Sequence, residues 1–337
     1  MGVRILKGGM CTTIQDFGRT GWQNMGIRVC GVMDRRSFRI ANLLLDNPEN
    51  EAVMECTLIG PTLEFTSSMI ISVTGGDFRP TLNDDPMPMY TAVYVTKGDV
   101  LRLGTAVTGR TCYIAFSNYL QIPVVMGSRS TDLTAGIGGF KGRALQAGDY
   151  IESRIKRRKY LPNFLSRTLP VREFDEDHAT IRVVMGPQDD MFSRKGIETF
   201  LNSEYTVSGS FDRMGVRLDG RFIESKRGSD ILSDGTVLGA IQVPSHGKPI
   251  VLLADHQTTG GYAKIAVAAG TDLPKLVQRR VGDHIRFQRI TVEEAQQLAS
   301  AEEKELQAMR NQIHRPCREV LECRLTAGRL KKLFPAE

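Results

Sequence analysis

The sequence lacks the features that mark membrane and secreted proteins. Its 337 residues contain no apolar run near the roughly 18 residues that a membrane helix needs. Residues 1–5 open without the continuous apolar stretch of a signal peptide. We therefore expect a cytoplasmic protein that does not contact a membrane.

Cysteines are few and scattered, six in all, and none belongs to a C-x-x-C pair. That absence excludes zinc-finger and thioredoxin-like spacing and favours reduced cysteines used for packing. His178 and His314 lie in charged, linker-like contexts, and His284 lies on a predicted strand after a turn. These settings are typical of surface or structural histidines, so the sequence predicts no metal site.

The familiar catalytic templates are also absent. The sequence contains no G-x-x-x-x-G-K-[ST] loop, no H-E-x-x-H motif and no G-x-S-x-G elbow. Any chemistry must therefore come from other polar segments.

The charge balance is modest. The 44 Lys and Arg residues exceed the 38 Asp and Glu residues by 6, and hydrophobic residues make up 41% of the chain. This composition is typical of a soluble globular protein, and it is far from the dense basic patch of a nucleic-acid-binding protein. The length predicts two domains, and we expect no nucleic acid as a partner.

The residue pattern predicts a mainly β chain. Short runs of β-branched and aromatic residues recur between glycine-bearing turns, for example at residues 70–74 and 111–116. A Gly-Asp turn precedes an alternating strand at residues 98–99, 148–149 and 282–283. This recurrence indicates related β-barrels in the two halves, unless Gly-Asp is simply a common turn.

A few helices interrupt the strands. Asp34 can cap a helix that ends before Asn47, and a short helix is predicted over residues 193–201. A capping box at residues 291–294 opens a longer helix. Basic and apolar residues then alternate over 315–337, which predicts a basic amphipathic helix packed on this protein or on a partner.

A shift in composition marks the domain boundary. Basic residues crowd around 154–159, and prolines and an acidic patch follow before the strands resume. We predict a first barrel domain over residues 1–155, a linker over 156–180, a second barrel domain over 181–290, and a C-terminal helix with a basic tail over 291–337.

Two polar segments in the first half are candidates for substrate binding. Gln15, Asp16 and Arg19 offer an amide, a carboxylate and a guanidinium group among glycines, although Asp16 could instead cap a turn. Ser128 and Arg129 begin a glycine-rich stretch whose backbone amides could bind an anion. Such loops also occur without ligands.

The second half holds the candidate catalytic residues. Asp212 and Arg213 are adjacent, either as part of a site or as a structural ion pair. A further set of polar residues lies on both sides of the apolar strand at residues 249–253, and these side chains need hydrogen-bond partners if they are buried. A ligand could supply these partners, unless the residues of the polar turn bond to one another. This group comprises Gln242, Lys248, Asp255, His256, Gln257, Thr258 and Thr259.

Several motifs in order carry a family resemblance over about residues 5–300. They include T-T-I-Q-D-F-G-R at 12–19, G-S-R-S-T at 127–131, D-R-M-G at 212–215 and D-H-Q-T-T-G-G-Y at 255–262. The chain resembles the allophanate hydrolase subunit 2 family, also called the biotin-dependent carboxyltransferase family. It departs from the family at residues 117–119, where a Gly-Gly pair is usual, and in the tail after about residue 311.

The resemblance implies cyclophilin-like β-barrels and a role like that of the C subunit of 5-oxoprolinase. Such a protein would work with a B subunit of the subunit 1 type and with an A subunit to hydrolyse 5-oxoproline to glutamate, with ATP as co-substrate. The first alternative is carboxyl transfer from carboxybiotin to urea or a similar amide. The second is a regulatory protein that sequesters a subunit 1-like kinase inhibitor.

Activating an amide requires donors for the charge that develops on its oxygen. We expect Arg213, Lys248 and His256 to supply such donors, together with Gln257. Asp212 or Asp255 would act as the base or would orient His256. The remaining candidates would bind the small amide substrate.

Overall fold

The computed structural model describes residues 1–155, 160–171, 174 and 176–315. In the first half, eleven strands form two antiparallel sheets, ordered β11-β1-β4-β9-β6-β7 and β2-β3-β10-β5-β8. The strands are β1 (Gly2–Lys7), β2 (Cys11–Gln15), β3 (Val53–Thr57), β4 (Thr62–Phe65), β5 (Met69–Asp77), β6 (Thr81–Leu82), β7 (Asp85–Pro86), β8 (Val93–Val95), β9 (Val100–Arg102), β10 (Thr108–Phe116) and β11 (Tyr150–Glu152).

The two sheets of the first half enclose one apolar core. Val3 and Leu63 from the six-stranded sheet meet Met54 and Ile114 from the five-stranded sheet, and all four are fully buried. Helix α1 (Arg35–Leu44) packs on β5 and β10 of the five-stranded sheet. Its N-cap is Asp34, as predicted, whose carboxylate accepts from the Ser37 amide.

The second half closes into a seven-stranded barrel, ordered β12-β19-β16-β17-β14-β13-β20. The barrel closes where β12 and β20 pair in parallel, and β15 and β18 form a separate two-stranded arm. The strands are β12 (His178–Met185), β13 (Glu204–Phe211), β14 (Gly215–Asp219), β15 (Asp230–Gly235), β16 (Ala240–Gln242), β17 (Ile250–Leu252), β18 (Thr259–Tyr262), β19 (Lys264–Ala268) and β20 (His284–Arg289).

Three further helices complete the described chain. Helix α2 (Arg194–Asn202) begins after the N-cap Ser193, and α3 (Leu273–Val277) follows β19. Helix α4 (Val292–Ile313) begins with the predicted capping box, in which Thr291 and Glu294 exchange hydrogen bonds. It lies on α1, where Arg36 pairs with Glu302. The predicted basic helix lies beyond the described residues, which end at Arg315.

The three Gly-Asp turns have one geometry. Asp99, Asp149 and Asp283 each accept, through the side chain, from the backbone amide three residues earlier at 2.8 Å. The preceding glycines have φ between 91° and 96°, in the left-handed region that glycine adopts without strain. The same turn therefore recurs in both halves, as both related barrels and a common turn type would predict.

The predicted fold class is confirmed: the chain is mainly β, with a closed barrel, few short helices and a C-terminal helix. None of the helices in the described ranges has the length and hydropathy of a membrane-crossing segment.

The two halves are joined by buried polar contacts. The side-chain amide of Gln278, just after α3, donates to Asp34 at 2.9 Å and accepts from the Arg110 amide at 2.8 Å. The Arg110 guanidinium lies 4.1 Å from the centre of the Phe211 ring and donates to the Phe211 carbonyl at 3.0 Å. The Arg110 contacts hold the β13–β14 hairpin against the first half, and the Gln278 contacts hold the segment that follows α3.

Candidate functional site

Arg213 lies at the turn of the β13–β14 hairpin and reaches between the two halves. Its Nε and Nη2 donate to the two oxygens of Asp255 at 2.9 and 2.8 Å, and Nη1 pairs with Glu55 on β3. Nη2 also donates to the Gly31 carbonyl at 2.6 Å. Arg213 is only 9% exposed, so this cluster is a buried guanidinium site in which all three nitrogens have partners.

The electrostatics of this cluster follow from its burial. Burial raises the pKa of the Glu55 carboxyl, although the Arg213 charge and the Met33 amide, which donates at 2.8 Å, act in the opposite direction. Burial by itself would lower the pKa of Arg213, but the nearby carboxylates Asp255 and Glu55 more than reverse that effect and raise it. The guanidinium therefore stays charged and holds Asp255 in one orientation.

His256 follows Asp255 and is buried. Its Nδ1 lies 2.6 Å from the Gln257 carbonyl oxygen and 3.1 Å from the Thr236 hydroxyl. A carbonyl can only accept, so Nδ1 carries the proton and Nε2 is the basic nitrogen. Burial lowers the pKa of His256, and the ring is therefore neutral near pH 7.

A groove of about 570 Å³ lies next to this cluster, on the outer face of the barrel. Side chains alternate along the strands, so Val216 and Val251 fill the barrel core while Arg217 and Ile250 point outward. The groove is lined by Gly209, Ser210, Phe211, Asp212, Met214, Gly215, Arg217, Gln242, Ile250, Leu252, Gln257 and Tyr262. It thus brings together three predicted site residues, one carboxylate and two amides.

The two amides meet over Gly260. A Cβ at this position would lie 2.6 Å from Nε2 of Gln242 and 3.2 Å from Nε2 of Gln257. The side chains therefore crowd against a residue that has none, which explains one glycine of the Gly-Gly pair. Asp212 stands at the groove's edge, where Oδ1 accepts from the Met214 and Gly215 amides and shapes the turn.

The other candidates of the second half lie away from the groove. Thr258 and Thr259 lead into the two-stranded arm, where Thr259 pairs with Gly235. Lys248 is half exposed and pairs with Asp219 at 2.6 Å. Asp219 ends β14 and Gly215 begins it, so the structure separates Lys248 from Arg213 and His256.

In the first half, Asp16 organises a closed loop. Its carboxylate accepts from the Ser128 and Ser130 hydroxyls and from the Arg129 amide, all at 2.6 Å, and from the Gly18 amide at 2.9 Å. Asp16 and Ser128 are almost fully buried. The turn-capping interpretation of Asp16 accounts for these contacts without a ligand.

Gln15 and Arg19 are fully buried beside this loop. Arg19 donates to the Ser130 carbonyl at 2.7 Å and to the Val125 carbonyl at 3.2 Å. Among the described residues, Nη1 of Arg19 and Oε1 of Gln15 have no hydrogen-bond partner. The structure therefore brings the first-half candidates together as a second polar cluster, distinct from the groove.

Sequence reasoning missed Glu55 and Tyr262 as members of these clusters. Glu55 lies between Met54 and Cys56 on the buried strand β3, and a lone acid within an apolar strand is a signal that it has a buried partner. Tyr262 closes the D-H-Q-T-T-G-G-Y segment and lines the groove.

A family model described as carboxyltransferase domain, subdomain A and B, matches residues 25–289. The chain is similar to two bacterial proteins, each named as the C subunit of 5-oxoprolinase. It is 37% identical to the Haemophilus influenzae protein, covering 88% of this chain and 94% of that protein. It is 34% identical to the Escherichia coli protein, covering 93% and 99%.

The chain also resembles part of a larger fungal enzyme. The crystal structure of the Kluyveromyces lactis urea amidolyase superposes with a TM-score of 0.83 at 30% identity, covering 91% of this chain. This chain spans only 20% of that enzyme's chain. The resemblance expected from the sequence motifs is thereby confirmed.

Proposed function

The chain belongs to the family of carboxyltransferase domains, subdomains A and B, and we propose on that basis that it is one component of a heteromeric 5-oxoprolinase. The complex would hydrolyse 5-oxo-L-proline to L-glutamate at the expense of ATP. The observation that carries this proposal is the match along nearly the full length of two proteins named as the C subunit of 5-oxoprolinase. The partners would be a B subunit of the subunit 1 type and an A subunit, acting in the cytoplasm.

The groove on the outer face of the barrel is the proposed place for the amide substrate. Opening a lactam breaks amide resonance and places negative charge on the carbonyl oxygen. The side-chain amides of Gln242 and Gln257 line the groove and are neutral donors of the kind that can stabilise this charge. A groove with two amides and one carboxylate matches a small polar amide in chemistry.

We assign proton transfer to the groups beside these amides. The Oδ1 atom of Asp212 holds the hairpin turn, and the carboxylate stands at the edge of the groove. His256 is neutral with Nε2 as its basic nitrogen, and it can therefore accept a proton. Either group could serve as the base for the attacking water.

Arg213 and Asp255 are proposed as positioning residues. Arg213 is paired with both Asp255 and Glu55, so few of its N–H groups remain to bind a substrate oxygen. The pair instead fixes the hairpin that carries Asp212 and the turn that carries His256. Lys248, which we expected from the sequence to donate to the substrate oxygen, lies away from the groove. The Lys248→Ala variant tests that role, because loss of such a donor would lower turnover.

ATP is a substrate of the proposed reaction. The sequence has no phosphate-binding loop of the G-x-x-x-x-G-K-[ST] type. We therefore propose that a partner protein supplies the nucleotide site and that this chain is inactive alone.

The decisive experiment reconstitutes the chain with its A and B partners and measures ATP-dependent release of glutamate from 5-oxoproline. We expect no turnover by the isolated chain. Gln257→Ala should lower turnover in the complex by roughly 10²-fold, because one donor to the developing oxyanion is removed. The control is Arg194→Ala on α2, whose side chain is 94% exposed. Full turnover by the isolated chain, or normal turnover of Gln257→Ala, would contradict the proposal.

The urea amidolyase match favours carboxyl transfer as a second candidate. In that reaction carboxybiotin would arrive on a separate carrier chain and give its carboxyl group to an amide nitrogen. Supplying the complex with carboxybiotin and urea, and assaying the carboxylated product, separates the two activities. Product formation there, with no glutamate release from 5-oxoproline, would favour this alternative.

A further inference from the structure

Two histidines and a glutamate meet where the barrel of the second half closes, and none of the three lines the proposed substrate groove. His178 begins β12 and His284 begins β20, and the two are directly paired across this parallel strand pair. Glu204 begins β13, the strand on the other side of β20. Barrel closure therefore brings three residues that are distant in the sequence to one place.

The donor atoms of these residues lie close enough for shared coordination. Glu204 Oε1 is 3.4 Å from His284 Nδ1, and Glu204 Oε2 is 3.7 Å from His178 Nε2. One donor atom from each residue lies within 4.8 Å of the others. Metal–nitrogen bonds of about 2.0–2.1 Å place neighbouring ligand atoms about 3–3.5 Å apart, so small side-chain rotations are enough to close the site.

Asp177 supports this arrangement. Its Oδ1 lies 2.6 Å from Nδ1 of His178, and its backbone carbonyl accepts from the His284 amide at 2.7 Å. A carboxylate beside one ring nitrogen fixes the tautomer. The proton of His178 therefore lies on Nδ1, and the unprotonated Nε2, which faces Glu204, can bind a metal ion. The imidazole rings lie 5.0 Å apart, at an interplanar angle of 24°.

The site opens into a cavity of about 540 Å³ that also contains positive charge. Lys275, Arg279 and Arg286 line it together with the two histidines. Arg286 pairs with Oε2 of Glu204 at 3.1 Å, but its side chain is 67% exposed. An exposed arginine can swing into solvent at little cost, whereas the strand positions of the three ligands are fixed by the barrel.

We propose that His178, Glu204 and His284 bind a divalent transition-metal cation, with Zn²⁺ as the best-matched ion. Two imidazoles and one carboxylate suit Zn²⁺ and related ions, whereas Mg²⁺ and Ca²⁺ prefer oxygen ligands only. The bound ion would join β12, β13 and β20, the strands that close the barrel. Water would complete its coordination from the open side.

The test is a titration of the metal-free, untagged full-length chain with Zn²⁺ and with Mg²⁺, followed by calorimetry and thermal melting. We expect one Zn²⁺ per chain, a higher melting temperature with Zn²⁺, and no response to Mg²⁺. His178→Ala and His284→Ala should each weaken Zn²⁺ binding at least tenfold. His246→Ala, which removes an exposed histidine outside the cluster, should bind as the wild type does.

A fourth variant tests the same site in the opposite direction. Arg286→Gln removes the cation that competes for Glu204, and it should tighten Zn²⁺ binding several-fold. Glu204→Gln should weaken binding while keeping a side chain of the same size. Equal Zn²⁺ affinity in the wild type and both histidine variants, or no binding by the wild type, would overturn the proposal.

Discussion

Arg213 and Asp255 form a two-pronged ion pair, with nitrogen–oxygen distances of 2.9 and 2.8 Å, at the junction of the two halves of the chain. The same guanidinium pairs with Glu55 on the first half. Two residues that read from the sequence as catalytic candidates are thus committed to a buried structural contact. Their effect on a reaction would be exerted through the hairpin and the turn that they position.

Replacing Arg213 by Ala should lower the free energy of unfolding of the isolated chain. The change leaves Asp255 and Glu55 buried without their cation, and breaking a buried pair costs about 3–5 kcal/mol. Urea denaturation measures the loss. The matched control is Lys248→Ala, which removes the half-exposed pair with Asp219 and should cost less than about 1 kcal/mol. Comparable stability of Arg213→Ala and wild type would refute the structural role.

Asp16→Ala should lower the free energy of unfolding, because it disrupts the contacts between residues 16–19 and residues 128–130. It removes the acceptor of two hydroxyls and two backbone amides, and each buried donor left unpaired costs about 1–3 kcal/mol. Asp212→Ala, which removes an exposed acceptor of two amides, should cost about 1 kcal/mol in the same denaturation assay. If Asp16→Ala keeps its stability but the complex loses activity, Asp16 binds substrate rather than capping the turn.

The stability of the chain should depend on pH through His256. Burial lowers the pKa of this ring in the folded state, while the unfolded chain takes up the proton near pH 6.5. Below that pH the unfolded state binds more protons, so the contribution of His256 to stability falls as the pH drops toward the folded-state value. Denaturation midpoints at pH 5–8 should therefore fall more steeply in acid for wild type than for His256→Gln. Parallel curves would show that His256 is not protected in the fold.

Helix α4 should depend on Leu306, which is 4% exposed and packs with Ile40 and Leu44 of α1. Leu306→Ala leaves a cavity at this contact and should cost about 2–5 kcal/mol, read from thermal melting. Val292→Ala on the same helix removes a side chain that is 51% exposed and should have a small effect. Equal melting temperatures for both variants would mean that α4 is not held by this contact.

Local sequence patterns predict most of the helices, strands and turns. The cap at Asp34, the capping box at Thr291 and the Gly-Asp turns are set by neighbouring residues, and all are observed as predicted. The predicted basic helix over 315–337 lies, apart from its first residue, outside the described residues. Gln257 and Gly260 belong to one short segment that the sequence singles out, whereas Asp212 and Gln242 reach the same groove only through strand pairing.

The remaining contacts depend on strands that are distant in the sequence. Glu55 reaches Arg213 only because β3 faces the β13–β14 hairpin, and His178 reaches His284 only because the barrel closes between β12 and β20. Judged only from their neighbours in the sequence, His178 and His284 are typical of isolated surface histidines. No local spacing encodes such pairs, because each is fixed by tertiary packing.

The buried ion cluster also makes the folding of each half depend on the other half. Dividing the chain between residues 155 and 178 would leave Glu55 without its cation on one fragment. On the other fragment, the Arg213–Asp255 pair would lose the Glu55 carboxylate and the Gly31 carbonyl that Arg213 contacts. Each fragment would then hold charged groups without part of their native surroundings, so we expect the two halves to fold well only as one chain.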